Sequence, residues 1–173
     1  MSHKTACIAA LFAYGVALQA QDNPLSTETK GFYNSVKNNI IKAAEKMPEA
    51  NFAFKATPDV RSFGEILGHI ADSQYLFCSA VKGEEKKSDV EHAKGKAAIV
   101  EGLKASAAYC DEAYNSLTDA DAATQVKFFN RTRTKLGILS INTAHDDEHY
   151  GNLVTYMRLK GLVPPSSEPA PAK

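Results

Sequence analysis

Apolar residues recur at three- and four-residue intervals from Ser26 to about Met47, at Phe32, Val36, Ile40 and Ala43 or Ala44, behind serines and threonines able to cap a helix. The spacing predicts an amphipathic helix that Pro48 closes, with Phe52 and Phe54 in the following loop covering one end of the core. A second helix opens at "SFGE", where the Ser62 hydroxyl can accept from an amide three residues on while Glu65 reaches back, and it runs to about Val81. At about 100° per residue, Ile66, His69, Ile70, Ser73, Leu76 and Phe77 share one broad arc, with His69 at its edge.

A charged, glycine-containing stretch at 82–96 reads as a solvated connection. The third helix, about Ala97 to Leu117, carries Ile99, Leu103, Ala107, Cys110 and Tyr114 on one face; "TDADAATQVKFFNRT" then reads as a loop. The last helix runs from about Thr134 to Lys160, ended by Gly161 and a Pro-Pro pair. No stretch sustains the alternation of a half-buried sheet. Four helices of this length imply an all-α, up-and-down four-helix bundle, and the long link between the second and third permits a crossover.

The first twenty residues differ in kind: a short basic start, the nearly uncharged "TACIAALFAYGVALQA", then a polar turn after Ala20. This is the layout of a secretory signal peptide, with an uncleaved anchor as the alternative. Residues 21–165 then form the domain, and the Pro/Ala-rich 166–173 a disordered tail. The expected location is secreted or periplasmic, and Cys78 and Cys110 could either pair there or remain two buried thiols. With 20 basic and 20 acidic residues among 173, and 44% hydrophobic, the chain reads as an ordinary globular protein with no electrostatic bias toward nucleic acid. Arg131, Arg133 and Lys135 form its one local basic patch of note.

The candidate chemistry lies in "TAHDDEHYGN". On the last helix Ile138, Ile141, Asn142, Leu153, Tyr156 and Leu159 define the buried stripe; His145 and His149 fall in its middle, while Asp147 and Arg158 lie opposite. Buried imidazoles need partners, and a shared divalent metal is the economical one. His69 can complete a three-histidine shell with one open position, the pattern of catalytic rather than structural zinc. His3, in the leader, and His92, in the charged loop, are expected to be uninvolved. Asn142 and Asp146 could orient a ligand or bound water, Glu65 reads as a cap, and Asp72, Asp146 or Glu148 could supply a fourth ligand. No residue is assigned as a general base. Segments 52–60 and 126–136 are expected to line the pocket.

"RSFGEILGHIADSQ" at 61–74 and "HDDEHYGNLVTYMRLKGLVPPS" at 145–166 together resemble the DinB/YfiT-like superfamily of small helical metalloproteins. The matching positions are His69 after its Ser-x-x-Glu start, His145 with His149, and Arg158, Gly161 and Pro164. The resemblance implies a four-helix bundle with a long crossover between helices two and three, a divalent metal such as zinc or nickel on the three histidines, and frequent homodimers. Some relatives transfer low-molecular-weight thiols or isomerise substrates with their help; with an open position on the three-histidine site for water or a thiolate, the expected activity is a metal-dependent hydrolase or a thiol-dependent S-transferase acting on a small-molecule substrate, and the alternative is a non-catalytic metal-binding or interaction bundle.

Overall fold

The computed structural model describes residues 22–169. The signal-peptide reading of 1–20 falls outside them. Four long helices form the bundle: α1 (Pro24–Lys46), α2 (Phe63–Lys82), α3 (Gly95–Ser116) and, after a short helix α4 (Asp119–Ala122) and strands β1 (Gln125–Phe128) and β2 (Arg131–Thr134), α5 (Lys135–Leu159). Both sequence-predicted starts hold. The Ser62–Glu65 capping box is complete, and the Thr134 hydroxyl accepts from the Gly137 amide. Gly83 and Gly161, both left-handed, follow the ends of α2 and α5.

Cross-helix contacts fix the topology. Gln74 meets Ser106 and Cys78 meets Cys110, so α2 and α3 run parallel. Tyr156 donates to the Arg61 carbonyl and Gln74 to Asp146, so α5 opposes α2; Tyr33 reaches Ala107 and Lys96 reaches Met47, so α1 opposes α3. The 83–94 link must therefore carry the chain back along the bundle, as the crossover requires. Asp72 anchors it by accepting from Ser88 Oγ and from the amides of Val90 and Glu91, at 2.5, 2.8 and 3.0 Å. Gly68 admits it: a β-carbon there would lie 2.4 Å from the Glu91 α-carbon.

The buried faces differ from the sequence expectation by small rotations. On α1, Tyr33 is buried and Phe32 is 56% exposed. Tyr33 stacks flat on Tyr114 with ring centroids 3.9 Å apart and finds the Ala107 carbonyl for its hydroxyl. On α2, Leu76 is exposed, whereas Leu67, Ala71, Gln74 and Cys78 are buried because α3, α5 and the crossover enclose the helix on three sides. On α5 the buried face centres on Leu139, Asn142, Asp146, Tyr150, Leu153 and Met157; Ile141 is half-buried and Leu159 exposed. The third-helix stripe is buried as expected.

The 118–132 stretch is not a simple loop. It holds α4 and an antiparallel hairpin in which Val126 pairs with Arg133 and Phe128 with Arg131. Phe129, at φ 51° in the two-residue turn, occupies a position where glycine or asparagine is usual, so the sequence lacks the ordinary hairpin signal. The tail is ordered further than expected: Pro165–Ser167 form a 3-10 turn, Ser166 bonds Tyr150, and Glu168 pairs with Lys46. Cys78 and Cys110 form a disulfide with Cα atoms 5.3 Å apart. No helix among the described residues is long and apolar enough to cross a membrane.

Replacing Gly68 by alanine must displace the crossover, and overpacking of this kind destabilises by about 1–3 kcal/mol. Gly31, with nothing within 4 Å of a built β-carbon, provides the control. Chemical denaturation should show Gly68→Ala less stable and Gly31→Ala unchanged or more stable; equal behaviour would refute the close approach.

Candidate metal centre

Three histidines from two helices converge. α2 presents His69 about two turns after its Ser62 cap; α5 presents His145 and His149 one turn apart. The Nε2 atoms of His69 and His145 are 3.2 Å apart, as are those of His145 and His149, and all three ligand atoms lie within 4.8 Å of one another. The rings are half-buried rather than central in the core. The buried face of α5 is turned by one residue from the sequence expectation, so Asp146 and Tyr150 point inward while His145 and His149 flank it.

The outward nitrogens of His69 and His145 face carboxylates, and that of His149 faces the Nδ2 donor of Asn152. His145 Nδ1 lies 3.8 Å from Asp146 Oδ1, too long for a hydrogen bond, yet both atoms are sealed from solvent and neither has another partner. His69 Nδ1 lies 3.6 Å from Glu91 Oε2, and His149 Nδ1 lies 3.4 Å from the Asn152 amide group. Carboxylates beside Nδ1 favour the tautomer with its proton there, which turns the Nε2 lone pairs of His69 and His145 toward the shared centre. Converging lone pairs repel each other unless a cation lies between them. Three nitrogens bound at about 2.05 Å in a tetrahedral shell sit about 3.3 Å apart, so the observed spacing suits a divalent ion.

Charge points the same way. Asp146 is wholly buried; burial raises its pKa, opposed by His145 and by the 2.8 Å bond from Gln74, and no lysine or arginine among the described residues pairs with it. Burial likewise lowers the pKa of His69, assisted by Arg61 and His145, and that of His149 to about 4, assisted by His145 and His69. The rings of His69 and His149 thus favour the neutral form, the form that binds a metal.

The structure sorts the remaining candidates. Asp72 is occupied by the crossover and Asp146 by Gln74, so neither joins the cluster; Glu148 is exposed, and among the described residues the convergent group is His69, His145 and His149 alone. Asn142 is not aimed at the centre: it is buried and donates to the Tyr114 hydroxyl. Asp146 supports His145 from behind instead of orienting a ligand. His92 is exposed and paired with Asp89; His3 lies outside the described residues.

Beside His149 opens a cleft of about 680 Å³ whose walls include Lys55, Arg61, Glu65, Glu91 and Tyr156. Segment 55–61 lines it, as expected, whereas the 128–133 hairpin lines a separate hollow with Ile141. The sequence reading missed Glu91 and Arg61. Glu91 comes from the crossover, remote in sequence from both histidine blocks, and no local pattern marks it.

A family model for the DinB superfamily matches residues 33–153. Among solved structures, a DinB-like protein from Bacillus cereus ATCC 10987 superposes with a TM-score of 0.67 at 20% identity, covering 79% of this chain and 95% of that one. A DinB-like protein from Bacillus subtilis gives 0.64 at 21%, with 78% and 92% covered. A mycothiol-dependent maleylpyruvate isomerase gives 0.63 at 14%, with 74% of this chain and 60% of that one covered. Among curated proteins, none matches the chain.

The lowered pKa values set a pH dependence for the metal-free protein. Below about pH 6.5 the unfolded chain protonates its histidines, while folded His149 stays neutral to about pH 4. The stability contributed by the neutral ring is full above about 6.5 and is lost as pH falls toward 4. Denaturation midpoints of chelator-treated protein should fall across that window, and less steeply in His149→Gln; equal slopes would refute the assignment.

Proposed function

The chain belongs to the DinB superfamily, and on that premise we propose that it is a metal-dependent enzyme acting on a small molecule, with His69, His145 and His149 holding one divalent cation. The observation that carries this reading is the convergence of three Nε2 atoms backed by the buried, cation-free carboxylate of Asp146. Three imidazoles without a thiolate suit zinc or nickel. A bundle needing only a structural ion would supply a fourth protein ligand, and the cluster offers three beside an open cleft.

When bound, such a cation lowers the pKa of a water or thiol at the open position and so supplies a nucleophile near neutral pH. The chain's own residues do the rest. Asp146 and Glu91 set negative charge 3.8 and 3.6 Å behind the Nδ1 atoms of His145 and His69, which favours the proton on that nitrogen, and Phe77, its ring centroid 5.7 Å from that of His145, shields that imidazole on its apolar side. The reaction classes that follow are hydrolysis and thiol-dependent transfer. That a protein of the same fold is a mycothiol-dependent isomerase keeps thiols among the nucleophiles to test.

We also read the protein as exported through its apolar leader. The Cys78–Cys110 disulfide supports this, since such bonds persist in oxidising compartments.

Protein purified without chelator should carry about one equivalent of zinc or nickel by elemental mass spectrometry, and His145→Ala/His149→Ala should carry little while keeping its helical circular dichroism. A parent that stays metal-free after reconstitution would overturn the reading. Intact-mass analysis of protein expressed with its leader should show a chain beginning near Gln21 and two hydrogen atoms lighter than its thiol form; an unprocessed chain with free thiols would contradict export.

A further inference from the structure

The cleft beside His149 carries a preorganised cation, Arg61, that the proposed chemistry does not use. Its backbone is pinned by the Tyr156 hydroxyl, which donates to the Arg61 carbonyl at 2.6 Å. Its side chain is steered by Glu91, whose Oε1 accepts from Arg61 Nε at 2.7 Å while Oε2 faces His69. One carboxylate thus ties the guanidinium to the histidine cluster. A guanidinium offers five N–H donors, and among the described residues only the Nε proton of Arg61 is engaged. The terminal pair remains for a ligand, and its planar fork matches a carboxylate.

The other charges of the lining leave this fork as the anion reader. Glu65 accepts from the Ser62 amide at 2.7 Å and faces Lys55 at 3.3 Å, so it serves the helix cap and the neighbouring cation. Glu91 is committed to Arg61. Asp59 is the one acidic side chain of the lining without a cation partner, and it makes the opposite preference, for an ammonium group, the rival to be tested.

We infer that the cleft selects a small substrate carrying a carboxylate, bound by the terminal N–H groups of Arg61 while its reacting end lies at the histidine cluster. This rests on the metal reading above, and the test separates the two. Protein loaded with cobalt(II) would be titrated with mercaptoacetate, 2-mercaptoethanol and 2-mercaptoethylamine, followed by the thiolate-to-cobalt absorption band and compared at equal thiolate concentration. Charge-assisted hydrogen bonds to the guanidinium predict mercaptoacetate binding roughly tenfold or more tighter than 2-mercaptoethanol. In Arg61→Gln, with cobalt uptake and circular dichroism confirming the fold, that preference should collapse toward parity.

Equal affinities in the parent, a preference for the amine, or a preference that survives in Arg61→Gln would each overturn the inference. If cobalt does not bind, the metal reading falls. The carboxylate reading is then decided by calorimetry of succinate with the metal-free protein, where binding by the parent and not by Arg61→Gln supports it and any other result refutes it.

Discussion

A chain whose second and third long helices point the same way must return along the bundle between them, and here the return depends on the backbone of Val90 and Glu91 lying against Gly68. The close approach has two requirements, and both lie on α2. A residue without a β-carbon admits the backbone, and Asp72, one turn on, accepts the amides that open the 3-10 turn Val90–His92 and would otherwise be left unpaired. From this contact follow the parallel pairing that lets Cys78 reach Cys110 and the placement of Glu91 beside His69.

The interior then holds more polarity than a bundle of this size needs for packing alone. Gln74 bonds both Asp146 and Ser106, and Tyr114 joins Asn142, Thr143 and the Leu139 carbonyl. A buried carboxylate is costly unless something balances it. Asp146 has neutral hydrogen-bond support from Gln74 on one side and, 3.8 Å away on the other, the His145 imidazole, whose Nδ1 proton its charge favours. Core and centre are in this respect one construction: the network that seats Asp146 also fixes His145. On the other side of the cluster, the same role falls to a crossover residue that Arg61 holds in place.

Much of this was legible in the sequence because it is local. Capping chemistry, the 3.6-residue period and glycine or proline stops depend on neighbours within a turn or two, and they marked all four long helices. The His145–His149 pair and His69 were likewise recognisable from helical spacing and from their two sequence blocks. The hairpin was not, because its strands are only four residues long and its turn places Phe129 where glycine or asparagine would announce it. The choice of Tyr33 over Phe32, and of Asp146 over His145, for the inward position was also hidden. Adjacent residues on a helix differ by about 100°, and only the partner surfaces decide which direction is the core.

The sequence by itself determined the helices, their order, and which imidazoles could share a face, since backbone hydrogen bonding and amphipathic period are properties of short segments. Tertiary structure alone decided that the two histidine-bearing helices meet at that height, that Asp72 serves the crossover rather than the cluster, and that Glu91 and Arg61 border the cleft. The reason is physical. These are contacts between residues 16 to 76 apart in the sequence, and they exist only once burial of the apolar faces has set the helices in register.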